Sequence, residues 1–406
     1  MSYSAFRVCR SSRLEIAVLA VASLALVLPG CTSSGDGDES GSEGNVFLFT
    51  SRAELAQATG ANDINPRQIL RTSGGFTLLF DFSSGSIVAI DMAGDAFLFT
   101  SKTELTQLTG GASVDLGAFD QIQKGTLADH VLTADSVTGD LIKLDTNGTP
   151  TLFTTRAKVM AVTMEATAKL SLPRELTTNQ LVAQDLVSMD ILRFDLQGNP
   201  LVFVLAAKLA TASGLAEAQT AVAGWAHGPD TESLYARFQG SNNIVRIEVN
   251  GTVSRYVAAT TIADRFPGLS NLGILDIEAT LDSDALLLLI GEGTKGAAVA
   301  LVSSNGSDVS VFASKADLVA EAGASVDISD LVIMTTGVLV AIDRGGAQIL
   351  IFGEDGDPTR PVVVGRREDI EETTGTSSPL LSIGAGLSDG ALVLPDAQTA
   401  TLIRIE

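Results

Sequence analysis

Only two of the 406 residues are cysteines, Cys9 and Cys31, and Cys9 falls in the first stretch of the chain, which reads as a removable leader. A single remaining thiol cannot form an intramolecular disulfide, a cysteine-ligated metal cluster or a dithiol redox centre, so the core alone must stabilise the fold. Basic residues are also scarce. Lys and Arg number 26 against 48 Asp and Glu, a formal charge of −22, and such a surface repels nucleic acid and anionic headgroups. No Gly-rich phosphate loop, Gly-x-Ser-x-Gly elbow or His-Glu-x-x-His helix occurs, which removes the kinase, serine-hydrolase and zinc-protease readings that rest on those motifs. Long hydrophobic runs are missing as well. The run Ile16 to Leu28 is too short to cross ~30 Å of hydrocarbon, and Ala285 to Ile290 has the length of a strand. What is present is a chain 45% apolar with 39 glycines and 18% charged residues, enough to bury a large core.

Arg7, Arg10 and Arg13 precede the apolar run, the pattern of a secretion signal. The run stops at Leu28-Pro29-Gly30-Cys31, which resembles the lipobox of bacterial lipoproteins, with a small residue before the Cys and Leu three positions upstream. That resemblance implies that residues 1–30 are removed, that Cys31 becomes the lipidated first residue, and that the protein is extracytoplasmic, at the outer membrane or cell surface. Residues 32–44 contain only Ser, Thr, Gly, Asp and Glu, so 31–45 is expected to be a flexible acidic tether with a root-mean-square reach of about 20 Å.

From residue 46 to 406 the chain repeats itself. FLFTSRAELAQATG from Phe47 returns as FLFTSKTELTQLTG from Phe97 and as VFASKADLVAEAG from Val311. The anchor positions are Phe49, Phe99, Phe153, Phe203, Tyr256, Phe312 and Val364. Ser51, Ser101 and Ser314 are each followed three residues later by an acid, Glu54, Glu104 or Asp317, which predicts a capping box and a short helix. Nine residues after each Ser stands Gly60, Gly110 or Gly323, a residue that can end a helix in the left-handed conformation; Gly214 and Gly375 hold the same offset. Alternating segments follow, read in the first unit as strands Phe76 to Asp81, Ile87 to Asp91 and Ala96 to Phe99. Tight turns such as Met92-Ala93-Gly94, Thr146-Asn147-Gly148 and Glu354-Asp355-Gly356 join the third and fourth strands.

A helix and about four strands per period of roughly 52 residues is the content of one propeller blade. Segments such as VLTADSVTGDLIKLDTNG, Val131 to Gly148, resemble seven-bladed β-propellers of the NHL and SMP-30-like type, whereas a recurring Trp-Asp or Gly-Gly signature is absent. The expected fold is therefore all-β, a seven-bladed β-propeller with a short helix between blades. The 42 residues after Val364 lack a fourth strand, and Val46 to Thr50 is expected to supply it and close the ring.

Acids recur at equivalent places: Asp63, Asp115 and Asp327 ahead of the inner strand, and Asp81, Asp135, Asp185, Asp343 and Asp396 at the end of the second. Hard oxygen ligands at a channel mouth would suit Ca²⁺ or Mg²⁺, and the resemblance to SMP-30-like enzymes points the same way. An Asp that ends a strand also forms an Asx-turn, which explains its recurrence without a metal. Asp276 and Glu278 break the repeat, so they join Asp63, Asp115 and Asp327 as candidate metal ligands. His130 and His227 read as lying near the start of second strands, and Trp225 reads as core. No catalytic residue emerges, and no resident cofactor is required. The expected function is a monomeric, lipid-anchored binding or assembly module for an envelope protein or polymer. The alternative is a metal-assisted hydrolase or lyase at the channel mouth.

Overall fold

The computed structural model describes residues 44–406 apart from 118, 123–124, 228–232, 281–284, 335, 354–356, 383 and 388. The expected leader, Cys31 as the expected lipidation site, most of the expected tether and the turn expected at Glu354-Asp355-Gly356 lie outside the described residues. In the first unit, helix α1 (Arg52–Thr59) leads into the strands Pro66–Arg71, Thr77–Asp81, Ser86–Ile90 and Ala96–Thr100, each antiparallel to the next. The same order follows helices α2 (Lys102–Thr109), α3 (Arg156–Thr163), α4 (Ala206–Ser213), α5 (Ala259–Ala263) and α6 (Lys315–Ala322), and α7 (Arg367–Thr374) opens the last unit. Five sheets have four strands. A sixth has eight, two such meanders joined by one bridge between Gly296 and Ile328. After α7 the described residues form the strands Ala385–Gly386, Leu392–Asp396 and Thr401–Ile405, and Val46–Thr50 completes that sheet by pairing with Thr401–Ile405.

The helix starts follow from local chemistry. The Ser51 hydroxyl accepts from the Glu54 N–H while the Glu54 carboxylate accepts from the Ser51 N–H at 2.7 Å, and Ser101 and Ser314 repeat the arrangement. Leu205 and Ala258 offer no such cap. There a side chain from the start of the preceding third strand substitutes: Asp190 accepts from Ala206 N at 2.8 Å and Asn243 from Ala259 N at 2.9 Å. Asp140 does the same for Arg156 N at 2.7 Å. Each bond of this kind contributes ~1 kcal/mol and ties a helix to the turn between second and third strands, so helices and those turns share one end of the sheets.

Hydrophobic packing is distributed over the interfaces between consecutive sheets. Successive residues of a strand face opposite sides, so Leu78 and Phe80 enter one cluster with Ile142 and Leu144, while Leu79 enters another with Val393 and Leu402. Both faces are covered, hence near-continuous apolar strands such as Leu286–Glu292. One residue per helix, Leu55, Leu105, Val159, Leu209, Ile262, Leu318 or Ile370, is fully buried against these clusters, a contribution of ~2 kcal/mol each.

The first strands of successive units meet in a closed cycle. Ser73 N donates to Gln121 Oε1 at 2.9 Å, Arg174 pairs with Asp120, the His227 ring bonds Leu176 O, Arg237 donates to Ile274 O, and Leu331 N donates to Asp276 Oδ2. Ile328–Ile333 touches Ala385–Gly386, which touches Pro66–Arg71. His227 therefore ends an innermost strand, Val222–His227, rather than starting a second one; the residues Trp225-Ala226-His227 continue that strand because Trp225 fills the core on one side. His130 does precede a second strand, Val131–Ala134.

Candidate functional site

The first-strand cycle gathers charged side chains that no local motif announces. Asp120 and Arg174 form an ion pair at 3.1 Å, and Glu175 N donates to Asp120 Oδ2 at 3.0 Å. Burial nevertheless holds the Asp120 carboxyl above its ordinary range, against the pull of Arg174. Across the ring the strand Leu272–Ala279 carries Asp276 and Glu278, two residues apart and so on the same face. Asp276 accepts from Ile277 N at 2.9 Å and Leu331 N at 3.0 Å, and burial still raises it to about 6. Arg237, on a second strand, faces Asp276 while donating to Ile274 O and Ala223 O. Glu278 lies beside Asp276 on the strand Leu272–Ala279. Burial first, then the neighbouring Asp276 and Asp330, push it to about 8, with Arg174 opposing. Asp330, from Ile328–Ile333, is likewise raised by burial, and its Oδ2 is enclosed without a partner.

Chemically this is a set of neighbouring carboxyls in unequal surroundings, with burial and Asp276 favouring the protonated form of Glu278. The five candidate metal ligands do not share a place. Asp276 and Glu278 lie on an innermost strand, with Asp276 bonded to the next unit. Asp63 is exposed and pairs with Arg52 at 2.8 Å, Asp115 accepts from the Ser136 hydroxyl at 2.7 Å, and Asp327 accepts from Gly296 N at 3.1 Å. Among the described residues no group of three or more His, Cys, Asp and Glu is placed to hold a metal ion. Ca²⁺ takes ~6–8 oxygens, and an Asp276 with both oxygens on backbone N–H groups leaves Glu278 and Asp330 too few to supply them.

The recurring Asp81, Asp135, Asp185, Asp343 and Asp396 are fully buried and bond backbone N–H groups. Asp81 accepts from Asn65 N at 2.7 Å and Ser84 N at 3.0 Å, joining the strand end to the segment that follows the helix. Beside these acids the helix end of the sheets exposes apolar side chains on adjacent units: Leu380, Phe82, Val137, Met164 and Val187. On the units after it the corresponding turns are polar, Gln239-Gly240-Ser241-Asn242 and Glu292-Gly293-Thr294-Lys295. Asp120, Arg174, Asp330 and Arg237 are functional candidates that the repeat pattern passes over. Their signal was a charge inside an otherwise apolar strand.

No protein-family model and no curated protein sequence matches the chain. Solved structures do. A streptogramin B lyase is similar at 13% identity and TM-score 0.60, over 90% of this chain and 98% of that one. YCF48 bound to a D1 peptide is similar at 10% identity and TM-score 0.57, over 90% and 97%. The β-propeller domain of Swd1 from Myceliophteria thermophila is similar at 10% identity and TM-score 0.55, over 85% and 96%. At these identities the likeness establishes the architecture: the chain is an all-β repeat protein with the fold of a β-propeller.

Proposed function

We propose that this protein is a lipid-anchored, extracytoplasmic propeller of seven blades that serves as a binding or assembly module for an envelope protein or polymer. The blade count is supported by the five four-stranded sheets and by the eight-stranded one, whose two halves share a single bridge. Anchoring through Cys31 rests on the lipobox resemblance. Because Val46–Thr50 is the outermost strand of its sheet, a tether ending there holds the ring by its edge and leaves both ends of the axis open.

The observation that carries the binding role is the run of exposed apolar side chains at the helix end, with Val137 49% and Phe82 40% exposed. A monomer in water gains nothing from a clustered apolar rim, whereas a partner that covers it does. The test is capture from envelope extract by the full chain and by a Phe82→Ser, Val137→Ser, Val187→Ser variant. Loss of specific bands in the variant is expected, and identical capture by both chains would refute the role. Cys31→Ala is expected to move the chain from the membrane to the soluble fraction.

The second reading is a lyase or hydrolase at the ring axis, favoured by Glu278, which burial and the neighbouring Asp276 push up to about 8. Activity on lactones or esters that falls at least tenfold in Glu278→Gln would support it.

A further inference from the structure

The outward edge of the ring is most apolar where the tether joins it. On the outermost strands Val46–Thr50 and Ala96–Thr100 two consecutive apolar side chains are exposed, Phe47 with Leu48 and Phe97 with Leu98. On Pro150–Thr154 and Pro200–Val204 one is, Leu152 or Leu201. The fourth and fifth units carry Ser254-Arg255 and Ser310-Val311 at these places, and in the sixth Val362 is half-buried and Val363 buried. The apolar strands follow one another in contact. Thr50 Oγ1 donates to Gly94 O at 2.9 Å and Thr100 Oγ1 to Gly148 O at 2.7 Å. A Cβ at Gly94, Gly148 or Gly198 would collide with the carbonyl oxygen of Phe49, Phe99 or Phe153. Each turn into an outermost strand is thus seated on the outermost strand of the unit before it, and the exposed side chains of four consecutive units form one arc. In register with Phe47, Thr151 and Leu201, the neighbouring third strands carry Arg404, Lys143 and Arg193, each with an acid two residues on, Glu406, Asp145 or Asp195. The flank of the arc is therefore balanced in charge, although the chain as a whole carries −22.

We propose that this arc is the face on which the ring rests against a bilayer of zwitterionic phospholipid, with the ring axis lying along the membrane plane. Residues 32–44 link Cys31 to Asn45, whose N–H donates to Glu406 O at 3.2 Å and which leads directly into Phe47 and Leu48. A tether with a reach of about 20 Å keeps that strand, and the arc that begins on it, close to the anchored lipid. Aromatic and aliphatic side chains settle at the boundary between headgroups and acyl chains. Edge strands also carry backbone groups that hydrocarbon cannot satisfy, so the arc stays at headgroup level. Balanced charge beside it suits a headgroup of both signs, and the acidic excess of the chain disfavours anionic lipid. Both ends of the axis, including the exposed apolar run at the helix end, then remain open to a partner. The proposal deepens the anchored-module reading and rests on it.

The experiment holds the full chain, with Cys9→Ser, at Cys31 on phosphatidylcholine vesicles, by its own lipid or, where Cys31 carries none, by coupling the thiol to a maleimide phospholipid. Trp225 is the single tryptophan and is buried, so it serves as the internal reference. Leu98→Trp and Ser254→Trp add a second emitter on the arc and off it. Dibrominated phosphatidylcholine is expected to quench the added emission of Leu98→Trp about fivefold more than that of Ser254→Trp. Phe47→Ser and Leu201→Ser, both at exposed positions, are together expected to cut that quenching about threefold and to leave the melting temperature unchanged. Equal quenching at the two positions, or none at either, would overturn the proposal. Leu98→Trp emission that follows the surface density of the chain instead of the brominated lipid would show that a second copy covers the arc, and would overturn it too. Stronger quenching in phosphatidylglycerol vesicles would overturn the choice of headgroup. Natural lipidation of Cys31 without quenching would overturn the resting face and leave the anchored reading standing. Quenching of the coupled chain, with natural Cys31 unlipidated, would support the face and remove the anchor.

Discussion

Two sets of enclosed carboxylates differ in one respect. At the ends of the second strands, Asp343 accepts from Asp327 N at 2.7 Å, Gly345 N at 3.0 Å and Gly346 N at 3.1 Å, and four other units repeat the arrangement. On the innermost strands of the fifth and sixth units, burial pushes the Glu278 carboxyl up and Asp330 leaves Oδ2 unpaired. The first set lowers the energy of the fold, because each oxygen satisfies backbone groups that would otherwise be buried unpaired. The second set raises it, since burial without partners penalises the charged form. An acid that recurs in this ring is therefore a joint between segments, and one that occurs once marks a place where stability is given up.

The largest effect separating the sets is a pH dependence. Glu278 is raised from 4.5 to about 8, so the folded chain keeps a proton that the unfolded chain releases, and stability falls as pH climbs through that window. Chemical denaturation of Glu278→Gln is expected to show a flatter profile from pH 5 to 8. An unchanged profile would mean that the carboxyl is solvated. Asp343→Ala, in contrast, strips three backbone donors of their acceptor, and urea unfolding should register a loss of ~3 kcal/mol at every pH. Smaller again is Asn243→Ala, which removes the bond at the start of α5 and is expected to cost about 1 kcal/mol. The smallest expected change is the melting temperature on replacing EDTA by Ca²⁺ or Mg²⁺; a saturable rise would show that the inner carboxyls rearrange into a metal site and would favour the enzymatic reading.

The legible part of the fold is the part written over short distances. The Ser-to-acid spacing at Ser51 and Glu54 announced a helix because a capping box spans four residues. Helices α4 and α5 were harder to read because their caps, Asp190 and Asn243, come from 16 residues upstream. Met164 could have been found, since it fills the offset that Gly60, Gly110, Gly214 and Gly375 hold in the other copies. The ion pair between Asp120 and Arg174 could not, because neither residue sits in a motif and their proximity depends on how two sheets abut.

Period, helix starts, turn glycines and the closing strand were determined by the sequence itself, through hydrogen bonds and burial preferences that act within one unit and recur in the next. Which charges share the ring axis was decided by the tertiary structure alone. Closing the ring brings Arg174 of the third unit towards Glu278 of the fifth, and places Asp276 of the fifth beneath Leu331 N of the sixth. In the low-dielectric interior those proximities set the protonation of each carboxyl.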